Sequence, residues 1–263
     1  MPDLPYIPET ITVHLGEPSS AAANVTVSFP DYIKNVASSE VYPTWPESAI
    51  RANVYAQISF ALNRVYTEFY RSRGYPFDIT SSTAYDQAFI NGRDTFLNVD
   101  RIVDEIFDSY VRRQGNVEPL FTAYCDGIRV QCQGLSQWGT VSLAESGLLP
   151  YQILQYYYGQ DIDIVRNVPV LPASGSVPPF PLRRGSADND VLRLQIRLNR
   201  ISANFPAIPK ITPTNGIFGE STADAVRTFQ QIFDLTPDGI VGFNTWYKIS
   251  AIYVGVSRIA EYS

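Results

Sequence analysis

The stretch NVASSEVYPTWPESAIRANVYAQISFAL, residues 35 to 62, holds one carboxylate, Glu40, among apolar and small residues just before a helix start. A carboxyl group in such a place can act as a general acid, provided that burial keeps it protonated near neutral pH. Val36, Val41 and Trp45 are near enough in sequence to desolvate it, and beyond Lys34 no Lys or Arg lies within a few residues to oppose the effect. The competing reading is an ordinary solvated glutamate at a helix end.

Other chemistry is thinly represented. Cys125 and Cys132 flank Asp126-Gly127, a dipeptide that favours a two-residue hairpin turn. In that register Cys125 pairs with Ile128 and Cys132 lies roughly 13 Å further along the ladder. Two free thiols are therefore favoured over a bridge, unless the loop is longer than the dipeptide suggests. His14 is the only histidine and sits in the alternating run ITVHL, so two Cys and a distant His make no structural zinc set. No phosphate-cradling Gly loop and no metal cluster occur, and neither a cofactor nor a metal is expected.

Composition narrows the partners. The 263 residues are 45% hydrophobic and 17% charged, the balance of a globular chain. A net charge of −6 excludes binding a polyanion through bulk electrostatics, so nucleic acid is not an expected partner. The 34 aromatic residues, 17 Tyr, 14 Phe and 3 Trp, suit apolar cores and also flat platforms for sugar rings, core packing being the more frequent use. MPDLPYIPETITVHL has no basic n-region and no apolar h-region, and no window approaches a membrane span. The expectation is a chain neither self-exporting nor membrane-anchored, with a removed signal or release by mother-cell lysis left open.

Several elements must position Glu40. TITVHL and NVTVSF read as short strands, and DYIKNVASS as a short helix. Thr44-Trp45-Pro46-Glu47 fits a capping box that opens a helix running to about Arg71, with Ile50, Val54, Ala61, Val65 and Phe69 on its core face and Gly74 as its stop. A second helix over 98–113 should bury Val99, Ile102, Val103, Ile106, Phe107 and Tyr110. PLFTAYCDGIRVQC reads as a hairpin leading to two helices, GLSQWGTVSLAESG and PYQILQYYYG, separated near Gly147 and Pro150. Tyr156, Tyr157 and Tyr158 are read as core or surface filling in preference to a sugar platform.

NVPVLPASGSVPPFP, residues 167 to 181, has the composition of a semi-rigid linker. The expected organisation is an α+β N-terminal domain over 1–166, with short strands and several helices, the linker, and a small all-α three-helix domain over 182–263. That second domain contains an internal repeat, TNGIFGESTADAVRTFQ and PDGIVGFNTWYKI. Gly216 and Gly239 follow Asn or Asp in turns that need positive φ, Ile217 and Ile240 are expected to drop into the core, and Gly219 and Gly242 let the chain turn into the next helix.

Two families are resembled by these segments. LRRGSADNDVLRLQIRLNRI, NGIFGESTADAVRTFQ and DGIVGFNTW resemble, over about residues 182–250, the three-helix peptidoglycan-binding domain of bacterial wall hydrolases. The resemblance directs attention to Phe218, Arg227 and Trp246 as its binding residues. DYIKNVASSEVYPTWPESAIRANVYAQISFAL, FDITSSTAYDQAF and GLSQWGTVSLAESGLLPYQILQYYYG resemble, in order, the catalytic domain of stage II sporulation protein D, a family of lytic transglycosylases that act on peptidoglycan.

The second resemblance implies that Glu40, in the spacing Glu-x-x-x-x-Trp-Pro, is the catalytic acid. It would protonate a glycosidic oxygen and then take the proton of the sugar's own 6-hydroxyl. Gln87, Ser136, Gln137 and Trp138 would bind substrate. Asp86 is the candidate second acid for a hydrolysing arrangement of two carboxylates. The zinc-binding Cys and His of some relatives are absent from TSSTAYD, a family arginine is replaced by Ile58, and Gln131 or Gln133 stands where relatives often have His. The expected partner is peptidoglycan, at the bacterial cell wall or spore envelope and in sporulation, with a protein activator left open. The alternatives are a non-catalytic peptidoglycan-binding or spore-structural protein and, with less support, an amidase or peptidase acting on stem peptides.

Overall fold

The computed structural model describes residues 5–172, 178 and 180–260. The chain forms two compact units. One takes residues 5–66, 75–172 and 259–260, and the other takes 67–74 together with 178 and 180–258. Part of the linker expected at 167–181, namely 173–177 and 179, lies outside the described residues, as do the chain ends of the two expected domains, 1–4 and 261–263.

The first unit is α+β. Its elements are β1 (Ile7–Pro8), β2 (Thr10–His14), β3 (Asn24–Ser28), α1 (Phe29–Glu40), α2 (Glu47–Tyr66), β4 (Ile79–Thr80), α3 (Leu97–Ile106), β5 (Tyr110–Arg113), β6 (Tyr124–Cys125), β7 (Leu135–Ser136), α4 (Gln137–Glu145), α5 (Pro150–Tyr158), β8 (Ile162–Val165) and β9 (Val170–Leu171). β2 and β3 pair antiparallel as their alternation predicts, with Ile11 and Val13 buried, and β4 joins β2 in parallel. At the start of the expected linker, β9 pairs in parallel with β1. Ser28 opens α1 by accepting the Asp31 amide.

α2 is the axis of this unit. α1, α3, α4, α5 and β5 all pack on it, so almost every side chain from Ala49 to Arg64 is buried, not only one face. Its interior polar residues serve these neighbours: Asn53 donates to Thr140 (2.9 Å), Ser59 accepts the Val111 amide (2.8 Å) and Asn63 donates to the Pro119 carbonyl (2.8 Å). In place of the expected capping role, the Glu47 carboxylate pairs with Arg51 and Arg101.

Four expectations need correction here. α2 stops at Tyr66, not near Arg71, because Glu68 adopts a left-handed backbone (φ 52°) and a 3-10 turn over Arg71–Arg73 carries the chain to Gly74. The helix expected over 98–113 ends at Ile106, and residues 110–113 form β5, paired antiparallel with β8. The expected hairpin is a parallel pair, with Tyr124 opposite Leu135 and Cys125 opposite Ser136. The Asp126 carboxylate accepts the amides of Ile128, Arg129 and Val130, which curls the connection into a compact loop instead of a ladder. That curl brings Cys125 and Cys132 to a Cα separation of 6.1 Å, and they form a disulfide where free thiols were favoured.

The second unit holds three helices, α6 (Asn189–Ser202), α7 (Glu220–Ile232) and α8 (Phe243–Ser257). Its repeat has a mechanism visible only in three dimensions. Buried Gln195 accepts the amides of Asn215 and Gly216 and donates to the Ile217 carbonyl and Thr222. Buried Gln230 does the same for the second copy, accepting the Gly239 amide and donating to the Ile240 carbonyl and Thr245. Gly216 and Gly239 have the positive φ expected of them, 77° and 73°. Ile217 and Ile240 do not enter the core: they are 55% and 37% exposed, and the next residues, Phe218 and Val241, are the buried ones.

Within the same unit Glu68 is buried. Its carboxylate accepts hydrogen bonds from the Trp246 indole (3.0 Å) and the Ser250 hydroxyl and pairs with Arg197 at 3.4 Å.

Candidate active site

Glu40 is the last residue of α1, so its carboxyl stands where the helix carbonyls disfavour negative charge. The side chain is half-buried and four groups donate to it. The Ala88 amide reaches Oε1 at 2.8 Å, Gln57 of α2 reaches Oε2 at 2.8 Å, and Gln137 at the start of α4 reaches Oε2 at 3.3 Å. The Tyr124 hydroxyl of β6 supplies the fourth hydrogen bond. All four groups are neutral. Lys34, the nearest cation in sequence, pairs with Asp104 at 2.7 Å, and no ion pair among the described residues involves Glu40.

Burial raises the Glu40 pKa above its ordinary 4.5, and the hydrogen bonds from Ala88, Tyr124, Gln57 and Gln137 only partly offset it. Tyr124 is pushed well above the usual phenol value, first by burial and then by the facing Glu40, so it remains a neutral donor.

The Ser136-Gln137-Trp138-Gly139 motif divides its work among its residues. Ser136 caps α4 by accepting the Gly139 amide at 3.0 Å and also bonds the Tyr157 hydroxyl. Gln137 points inward to Glu40, and Trp138 points outward, 39% exposed. Gly139 leaves room for Tyr157: a Cβ there would stand 2.1 Å from that hydroxyl. Trp138 packs edge-on against Trp45 (ring centroids 4.9 Å) and tilted against Tyr42 (5.6 Å), and Tyr42 is 56% exposed. Tyr42 and Trp45 follow Glu40 by two and five residues, and Trp138 follows Gln137, so this aromatic group flanks the carboxyl.

Gln87 lies elsewhere than expected. It is fully buried behind the site, where its oxygen accepts from Tyr32 (2.9 Å) and its amide donates to the Gln57 carbonyl (3.1 Å) and to Tyr124 (2.9 Å). A side chain so enclosed orients Tyr124 and has no surface to offer a ligand. Asp86 is likewise fully engaged, with Oδ1 on Arg64 (2.8 Å) and Oδ2 on the Thr80 amide and hydroxyl (2.9 and 2.7 Å). It is not a free acid facing Glu40. Sequence reasoning missed Gln57, Tyr124 and Tyr42. The visible signal for Gln57 was a polar side chain in the middle of an otherwise apolar helix.

No group of three or more His, Cys, Asp or Glu that could hold a metal occurs among the described residues.

The second unit's candidate residues separate in the same way. Phe218 and Trp246 are core residues, each 1% exposed, and the Trp246 indole is spent on Glu68. Arg227 is partly exposed and pairs with Asp224 (2.6 Å) and Glu220 (3.6 Å). Phe218 and Trp246 therefore build the module without presenting a surface to a ligand.

Residues 187–249 match the family described as "Putative peptidoglycan binding domain". The chain thus carries a peptidoglycan-binding module, which associates it with the bacterial cell wall. No match to the chain is found among curated proteins. Among the described residues, no helix is long and apolar enough to cross a membrane.

Proposed function

We propose that the first unit is a lytic transglycosylase domain that cleaves the glycan strands of peptidoglycan, with Glu40 as acid and then base. The observation that carries this reading is a half-buried carboxyl, raised in pKa, surrounded by neutral donors and flanked by the exposed rings of Tyr42 and Trp138, which pack on the buried Trp45.

Glu40 donates its proton to the glycosidic oxygen as the bond from the anomeric carbon breaks. The resulting carboxylate then removes the proton of the same sugar's 6-hydroxyl, whose oxygen closes on the anomeric carbon to leave an anhydro-ended product. No second carboxylate is needed, which suits a site where Asp86 is locked to Arg64 and Thr80. The four donors on Glu40 stabilise the carboxylate that forms in the first half of the reaction. Aromatic faces give sugar rings an apolar surface to stack on, the role we assign to Trp138 and Tyr42. Ser136 takes a place at the rim, with its hydroxyl shared with Tyr157. The covalently attached module keeps the enzyme's local substrate concentration high. Action in sporulation, at the spore envelope, follows from the family resemblance alone.

One observation favours a second reading, a non-catalytic wall-binding protein: all four hydrogen bonds to Glu40 favour its ionised form, which opposes its use as an acid. Incubating the protein with peptidoglycan sacculi, intact and stripped of stem peptides, and identifying soluble products by mass spectrometry separates the two. Anhydro-ended glycans are expected from wild type, with at least a 100-fold lower rate, an order-of-magnitude figure, for Glu40→Gln. Binding of sacculi by both proteins with no product from either would discard the enzyme in favour of the binder.

A further inference from the structure

β6, which supplies Tyr124 to Glu40, and the start of α4, which supplies Gln137, are connected by a loop that the Cys125–Cys132 disulfide closes on itself. Tyr124, which bonds Glu40, immediately precedes Cys125. Gln137, which also bonds Glu40, follows β7, whose Ser136 is paired with Cys125. The bridged loop between them is tied to the same place. The Trp138 amide donates to the Asp126 carbonyl at 3.1 Å, and Gly127 packs so closely on Ser136 that a Cβ there would stand 1.8 Å from its hydroxyl oxygen.

The hydrogen bonds behind Tyr124 have one direction. Tyr32 donates to the Gln87 oxygen, so the Gln87 amide faces Tyr124 and donates to its oxygen. The Tyr124 proton is then left for Glu40. This chain makes Tyr124 a fixed donor to the carboxyl, where a free hydroxyl would be able to turn away.

We propose that Tyr124 is a positioning residue for Glu40 and that the Cys125–Cys132 disulfide is the clamp that holds Tyr124 and Gln137 on it, so that the site is set by the redox state of this one bond. The inference rests on the reading of Glu40 as the acid and adds a regulation to it: the site is fully organised only where the disulfide persists, as in an oxidising extracytoplasmic space. The chemistry is simple. A dithiol reductant delivers two electrons and two protons to the sulfur–sulfur bond, which becomes two thiols while the reductant becomes its own disulfide. Released from its cross-link, the loop is free to take other conformations, and with it the strand that carries Tyr124.

Among the described residues, Tyr124 is the titratable group that hydrogen-bonds Glu40. Gln57 from α2, the Ala88 amide from the segment after β4 and Gln137 from α4 are neutral. The Glu40 titration therefore reports directly on whether Tyr124 is in place. The test follows the Glu40 carboxyl by carbon NMR across pH in the full chain, alongside the pH profile of glycan release from sacculi. Tyr124→Phe removes one donor from the carboxylate, so the Glu40 midpoint and the matching limb of the profile should move to higher pH. The kcat plateau should fall roughly tenfold with KM unchanged, the scale of one lost hydrogen bond to a charged group.

Wild type reduced with dithiothreitol, and the Cys125→Ser/Cys132→Ser double variant without reductant, should shift the midpoint in the same direction, with circular dichroism showing the fold retained. A midpoint unmoved in Tyr124→Phe overturns the positioning role, and one unmoved by reduction and by the double variant overturns the clamp. If wild type released no anhydro-ended glycan while the midpoint moved in both arms, the transglycosylase reading would fail and the coupling would stand.

Discussion

Glu40, half-buried, and Glu68, buried, are carboxylates held by several protein donors, one in each unit, and they differ in what holds them. Glu68 has a guanidinium, an indole N–H and a hydroxyl, supplied by Arg197, Trp246 and Ser250. Asp86, with Arg64 and Thr80, is of the same kind. Glu40 has four neutral donors and no cation, and its pKa is raised. A buried acid paired with its own cation is a structural part, whereas one with no cation beside it is placed to exchange a proton.

The largest effect that would sharpen this comparison is on stability. Glu68→Ala leaves Arg197 buried without its carboxylate and is expected to cost about 3–5 kcal/mol of folding free energy. Glu40→Gln strands no charge, so its cost should be clearly smaller. Denaturant midpoints, compared at equal slope and with Trp fluorescence as one probe, give both values. Equal losses from the two substitutions would break the distinction.

A smaller effect concerns the surface beside Glu40. Trp138→Ala removes the outer ring of the aromatic group and should weaken binding to peptide-stripped glycan by about 1 kcal/mol, or roughly fivefold. Tyr156→Ala is the control. Tyr156 is more exposed than Trp138 but stands edge-on to Tyr157 and outside that group, so binding should be unchanged. These measurements need an inactive background, Glu40→Gln, so that the glycan survives. A loss for Tyr156→Ala equal to that for Trp138→Ala would move the platform away from Glu40.

What sequence made visible was local. The alternation of β2, the short helix α1 before Glu40 and the turn glycines 216 and 239 all depend on near neighbours, and each is present in the structure. Most of the errors came from partners that the local pattern does not name. Periodicity gave α2 one core face, but helices and strands pack on it from several sides, so its polar residues are buried sites of contact. Asp-Gly suggested a hairpin, but the Asp126 carboxylate gathered three amides and closed a loop that a disulfide completes. In the repeat, a helical Gln from the preceding helix binds each turn, which moves the buried residue one place on from the isoleucine. At the site, Glu40 could be singled out as a candidate because its chemistry is written in its own side chain. Tyr124 and Gln57 were not, because they act only through a carboxyl that folding brings to them.

The smallest expected effect is a pH slope, and two glutamates seven residues apart should give slopes of opposite sign. Glu40 binds its proton more tightly in the folded chain than in the unfolded one, because burial penalises its charge. Its contribution is therefore fully present below the unfolded value of 4.5 and is lost as pH rises through the raised folded value. Glu47 is the reverse case: the hydrogen bond from Arg51 lowers its pKa, so its contribution is present above 4.5 and is lost as pH falls through the folded value. Glu47 is about half exposed, and solvent screening keeps that contribution small. Thermal melts of wild type, Glu40→Gln and Glu47→Gln from about pH 4 to about pH 8 separate the two. Relative to Glu40→Gln, wild type should lose stability as pH rises through the window above 4.5, and relative to Glu47→Gln it should lose stability only as pH falls below it. A wild-type minus Glu40→Gln difference that stayed flat across the whole range would mean that Glu40 titrates as it does in the unfolded chain, and the contrast with Glu68 would then rest on Arg197 alone.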